Sequence, residues 1–303
     1  MRARPFVATT LTLLLALASG CARSRGPHDP SLATLAEGEV RLLYAGIDPR
    51  TPLRFHMAPG TQGVQETLMR TTVAVTVGGD PEYARAPAVK VTSTMAVPAV
   101  AADGTATVEL DARQSQVLAS NVAEGEGNIE GMLGLQMRWQ MDPRGFRRQV
   151  SMATPPSSEA MGQLRSLVQG TVAATDHMSV VFPAEPVGSG ARWQYRTPVV
   201  RDAVHLEQRG TVTLLWRDAD HARLSVDFDE RSPDPPSDSA HRTRLEGHGQ
   251  GRLELALTAP TVSGTVRIER KTTVDVVTEE TQHHHVASMQ LELTFLPHPA
   301  APR

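Results

Sequence analysis

Cysteine is almost absent from this chain: Cys21 is the only one in 303 residues, so no intramolecular disulfide can form. Lysine is nearly missing too, with Lys90 and Lys271 alone among 30 basic residues. Acidic residues number 33, and the formal net charge of −3 excludes the strongly basic character of a nucleic-acid-binding protein, so no nucleic-acid partner is expected. Long apolar runs are missing, which excludes a helical channel or transporter. Motifs of nucleophilic catalysis are missing as well. Gly188-Ser189-Gly190 lacks the strand–elbow–helix context of a hydrolase serine, no zincin helix occurs, and neither lysine has a serine three residues before it. The chain is therefore expected to be non-enzymatic and to use no cofactor. What remains is globular, 40% hydrophobic and 21% charged, and long enough for one large domain or two smaller ones.

The sharpest positive signal lies at the start. Arg2 and Arg4 precede an apolar stretch of 13 residues, Phe6 to Ala18, of signal-peptide length and too short to span a bilayer. Leu17-Ala18-Ser19-Gly20-Cys21 follows. Small residues before the sole cysteine resemble a bacterial lipoprotein signal, although the leucine sits one position earlier than in the usual pattern. An ordinary secretory peptide with an incidental cysteine is the alternative. The resemblance implies cleavage after residue 20, lipid attachment at Cys21, and a membrane partner through that anchor. Ala22 after the cysteine implies the outer membrane of a bacterial envelope, facing the periplasm or the cell surface. Removal of residues 1–20 leaves 28 basic and 33 acidic residues, a net of −5.

Residues 21–38 read as anchor and tether, rich in small residues with Pro27 and Pro30. From about Glu39, apolar and polar residues alternate with the period of half-buried strands. Ala222 to Asp229 alternates without error. Leu133, Leu135, Met137, Trp139 and Met141 face one way, Gly134, Gln136, Arg138 and Gln140 the other. Met289, Leu291, Leu293 and Phe295 repeat the pattern, and similar faces occur at 73–77, 89–97, 105–111, 211–216, 253–257 and 262–269. One apolar and one solvated face is the mark of antiparallel sheet. A transmembrane β-barrel also alternates, but it needs aromatic girdles, and three tryptophans and three tyrosines are too few.

One segment breaks the period. After Pro155 and Pro156, Met161, Leu164, Leu167, Val168 and Val172 recur at helical spacing, predicting an amphipathic helix over 158–174 that covers the sheet. The segments on either side of it look alike. Val91–Val97, Asp103-Gly104 and Thr105–Asp111 match Thr211–Trp216, Asp218-Ala219-Asp220 and Ala222–Asp229. Leu133–Met141 with its Asp142–Gly145 turn matches Leu253–Thr258 with Pro260–Gly264. Arg54–Met57 matches Arg192–Tyr195. The reading is an internal duplication: a first β-rich half at 39–155, a helical linker at 156–182, a second half at 183–297, and a tail at 298–303.

Phe182-Pro183 through Val187-Gly188 to Trp193, together with Asp103-Gly104-Thr105-Ala106-Thr107-Val108, resembles a family of uncharacterised β-rich bacterial lipoproteins. That family lends no activity. The architecture is also similar to lipoprotein-carrier half-barrels, by analogy of shape alone. The expected fold is mainly β (α+β): curved antiparallel sheets, half-barrel or sandwich-like, with one amphipathic helix between the halves. The expected function is that of a lipid-anchored envelope protein, holding a lipid-like or apolar ligand on a concave sheet face or binding another envelope protein.

Three clusters invite chemistry. His283 and His285 share a strand face and can share a metal, with His241 or His248 as distant additions, yet no spacing fixes a further ligand, and no metal is expected. Asp227, Asp229 and Glu230 read as a solvated polar strand face. Arg231 to Asp238, rich in proline and aspartate, lacks the ligand spacing of a calcium loop and reads as a mobile hairpin insert.

Overall fold

The computed structural model describes residues 38–77, 82–118, 127–128, 135–153, 180–201, 204–233, 241–277 and 282–298. Cys21 and the predicted helix over 158–174 lie outside them. Among the described residues there are fourteen strands: β1 (Val40–Tyr44), β2 (Gln62–Val77), β3 (Glu82–Arg85), β4 (Ala88–Val100), β5 (Ala106–Leu118), β6 (Gly127–Asn128), β7 (Leu135–Met141), β8 (Arg147–Ala153), β9 (Arg192–Arg201), β10 (Val204–Arg217), β11 (His221–Arg231), β12 (His241–Ala256), β13 (Val262–Val277) and β14 (Gln282–His298). No helix occurs among the described residues.

All fourteen strands belong to one antiparallel sheet. Its path runs β1-β9-β10-β11-β12-β13-β14-β2-β4-β5-β7-β8, with β3 beside β2 and β6 beside β5. Two meanders, β2 to β8 and β9 to β14, are joined where β14 pairs with β2 from His285↔Val77 to His298↔Val64. The sheet is not closed: β1 and β8 are its two ends.

The turns form where their chemistry requires. Asp103 accepts a hydrogen bond from the Thr105 backbone N–H, Asp142 from those of Arg144 and Phe146, and Asp218 from those of Asp220 and His221. A short side-chain acceptor that satisfies the backbone two residues on is what favours aspartate there.

The sheet curls strongly. At the usual strand spacing, β12 and β7 would lie about 30 Å apart in a flat sheet. Yet Phe55 donates its backbone N–H to Pro143 at the β7–β8 turn while the next residue, His56, donates to Leu257 just after β12. One segment therefore bridges both. It belongs to a plug that fills one end of the curl, made of residues 45–61 and 180–191. Phe182 is fully buried there, stacked on Phe55 at 4.9 Å and edge-on to Trp193 at 6.5 Å. Trp193 donates its indole N–H to Val181 O at 2.8 Å, and Arg144 and Phe182 exchange hydrogen bonds in both directions. The two plug loops touch backbone to backbone: a Cβ on Gly188 would collide with the Ile47 carbonyl, so only glycine fits.

The inner face carries a single apolar core running from Trp193 on β9 to Trp139 on β7. The outer face carries cross-strand ion pairs: Arg223 with Glu254, Lys90 with Glu66, Arg138 with Glu109, and Glu292 between Arg70 and Arg267. A lipid-facing band of a membrane barrel does not carry such ladders.

Candidate functional site on the inner face

Towards the plug, the inner face is packed shut. The cavity there has a volume of about 30 Å³ and is lined by Phe55, Met95, Val108, Trp139, Leu255 and Val262, among others. That is room for a water, far below the several hundred Å³ of a small-molecule pocket. Trp139 borders it with a buried indole N–H that has no acceptor among the described residues, and the Arg147 guanidinium lies 4.6 Å over its ring.

Away from the plug, the inner face changes character. Successive inner rows run across the strands. The first alternates large and small residues from Tyr195 through Gly210, Phe228 and Gly249 to Ile268, and ends on Leu291. The next, Gln208–Glu230–Gly247–Arg270–Met289, is polar and buried on β10, β11 and β13. Gly247 carries no side chain, so Arg270 reaches across it to Glu230, Nε at 3.1 Å and Nη2 at 3.0 Å from Oε2. Glu230 Oε1 accepts from Gln208 Nε2 at 3.2 Å, and Gln208 Oε1 accepts from the Tyr195 hydroxyl at 3.3 Å. Burial raises the Tyr195 phenol far above its ordinary value, and the charges of Glu230 and Asp227 push the same way, so it stays protonated and donates.

Every link of this chain of side chains is made, and the two charges cancel. A buried ion pair needs such extra hydrogen bonds to offset its desolvation. Both oxygens of Glu230 are occupied, which leaves it poorly placed for proton transfer to a substrate. The arrangement fits a key that fixes strand register, because a one-residue slip of β11 or β13 would move one charge to the other face.

Glu230 corrects the sequence reading. It does not share a solvated face with Asp227 and Asp229; it is 1% exposed and points inward. Its parity with Phe228, and that of Arg270 with Ile268, is the signal that places it there. Asp229 does face outward, where it meets His248 at 3.1 Å. That hydrogen bond raises the His248 pKa, outweighing its partial burial. Also outside, Glu207 lies between Arg196 and Arg209. Partial burial pushes it up, but the hydrogen bonds from those two arginines outweigh this and hold it below the usual carboxylate range.

His285 and His248 lie on opposite faces of the sheet. His285 pairs with Val274 and Val77 and is half-buried on the inner face, whereas His248 is on the outer face. His283 pairs with Val276, which pairs with His241. Among the described residues no three His, Cys, Asp or Glu side chains are grouped to hold a metal ion. Ser189 lies in the plug, its carbonyl accepting from Ile47 N–H. The Arg231–Asp238 run begins pinned, since Ser232 is buried and exchanges two hydrogen bonds with Leu245. No family model matches this chain, and no curated protein matches it.

Proposed function

We propose that the protein is a lipid-anchored lipoprotein of a bacterial cell envelope, non-enzymatic, acting as an interaction module for another envelope component. The observation that carries this is the sole cysteine, Cys21, placed directly after a signal-length apolar stretch and small residues. The ion-paired outer face supports a domain hung on lipid over one embedded in it. The second reading, a lipid-like ligand on the concave face of a half-barrel, draws on the curl of the sheet. The filled plugged end weighs against it there, so such a ligand would occupy the end away from the plug.

The finer architectural reading is a duplicated half-barrel with a covering helix at 158–174. The hairpins β4–β5 and β10–β11, which turn on Asp103 and Asp218 in the same manner, support the duplication. Arg54–Met57 does not: it lies in the plug, outside any strand, while Arg192–Tyr195 opens β9.

Changing Cys21→Ser tests the anchor. Metabolic labelling with a fatty-acid probe should mark the parent protein and leave the variant unlabelled, in an unprocessed or soluble form. Equal labelling of the two sinks the lipoprotein reading. Native mass spectrometry separates the two roles, because retained lipid appears as added mass.

A further inference from the structure

Nine large apolar side chains are exposed among the described residues, and five of them, Leu43, Tyr44, Ile47, Leu215 and Trp216, fall at one corner of the sheet. The topology brings them together. Tyr44 at the end of β1 pairs with Arg192, which pairs with Thr213 of β10. Ile47 donates its N–H to Ser189, and the next residue, Gly190, donates to Leu214. Arg217, beside Trp216, reaches the carbonyls of Thr51 and Pro52. A register shift between Leu214 and Trp216 breaks the alternation and turns both Leu215 and Trp216 outward. Trp216 is steadied by the Arg223 guanidinium, 5.7 Å over its ring.

We propose that this corner rests on the surface of the bilayer that holds the lipid anchor, an inference that stands on the lipoprotein reading above. Its composition suits the headgroup level. Tyrosine and tryptophan place an apolar ring in the interface and keep a polar edge in water, and leucine and isoleucine add apolar area. Its position suits the anchor. The sixteen residues 22–37 separate Cys21 from Gly38, which hydrogen-bonds Arg196 at the β1 edge. Fully extended they reach no more than about 60 Å, so an anchored chain keeps the β1 edge within that distance of the membrane. Tethering raises the effective concentration of the corner at the bilayer, so a weak contact suffices. The local charge selects the kind of surface. Arg41, Arg50, Arg217 and Arg223 lie beside Glu39, Asp48, Asp218 and Glu254, with Arg192 the fifth arginine of the corner, so most of its positive charge is matched and it is not a polybasic patch that needs anionic lipid.

Trp216 is also the probe. It is 42% exposed, whereas Trp139 and Trp193 are 2% and 0% exposed. The full mature protein is reconstituted in phosphatidylcholine vesicles whose acyl chains are brominated near the headgroup. Expected is a loss of tryptophan emission relative to unbrominated vesicles, unchanged by added salt and absent from Trp216→Phe. Ile47→Asp with Leu215→Asp, both at exposed sites, should keep the acyl chains and the fold but remove the quenching. Acylation is read independently from the mass of the N-terminal peptide. An acylated protein whose Trp216 is unquenched, or whose Trp216 emission instead changes with protein concentration as in self-association, overturns the membrane contact and leaves the lipoprotein reading standing. A peptide with no acyl mass overturns both.

Discussion

Trp139 and Arg138 are adjacent in sequence and opposite in environment. Trp139 is 2% exposed on the inner face, while Arg138 is out in solvent beside Glu109 at 3.6 Å. Trp139→Ala should cost about 3–5 kcal/mol, the usual cost of emptying a buried aromatic site. Arg138→Ala should change stability by less than about 0.5 kcal/mol, since an exposed ion pair contributes little. Urea denaturation of the two variants checks this, and the reverse order would mean that β7 is one residue out of register. Here the sequence was legible, because Leu135 to Met141 alternates cleanly; only Gln140, expected in solvent, is half-buried. Glu230 was misread. In Asp227-Phe228-Asp229-Glu230, two outward acids flank Phe228 and a third follows, so composition suggests a polar face while parity places Glu230 inside. What makes an inward carboxylate tolerable is Arg270, 40 residues away, and such a partner leaves no local trace.

At the scale of the element, the strands are longer than their alternating cores suggest. The alternation at 253–257 begins in the last residues of a 16-residue strand, β12, whose earlier part contains Gly247, Gly249 and Gly251. Glycine is depleted in strands, so a local reading stops at that point. The compensation lies across the sheet. The Phe228 ring of β11 occupies the place of a Gly249 side chain, so an alanine Cβ there would collide with it. Gly249→Ala should therefore destabilise by about 1–3 kcal/mol, the cost of overpacking a filled core, despite the better strand propensity of alanine. In a Phe228→Leu background the same change should cost markedly less, and the double-mutant cycle should return a favourable coupling. Equal costs in both backgrounds would show that the ring does not exclude the side chain. The same large-beside-small packing recurs at Gly210, which lies under the Tyr195 ring, and it ties the register of β9 to β13 to side-chain shape as well as to hydrogen bonding.

For the whole molecule, antiparallel sheet and hairpin order were legible from alternation and turn residues, but the global path was not. The pairing of β14 with β2 joins residues more than 200 positions apart and has no periodic signature in either strand. That pairing decides how the molecule should unfold. If the two meanders were separate domains, each would have its own core and transition. Instead a single core holds Trp139 of the first and Trp193 of the second, and the plug bonds to both, through Pro143 on one side and Leu257 on the other. Disrupting either meander exposes the apolar face of its neighbour, and β14 and β2 would each lose a partner along most of their length. The expected outcome is one cooperative transition. In a Trp216→Phe background, Trp139→Phe and Trp193→Phe variants each leave a single reporter, and in each variant fluorescence and far-ultraviolet circular dichroism should give coincident urea midpoints. The denaturant slope should be that of one large unit, because it scales with the surface exposed. Separate midpoints, with the β7 reporter melting apart from the β9 reporter, would mean that the β14–β2 seam does not couple the two meanders.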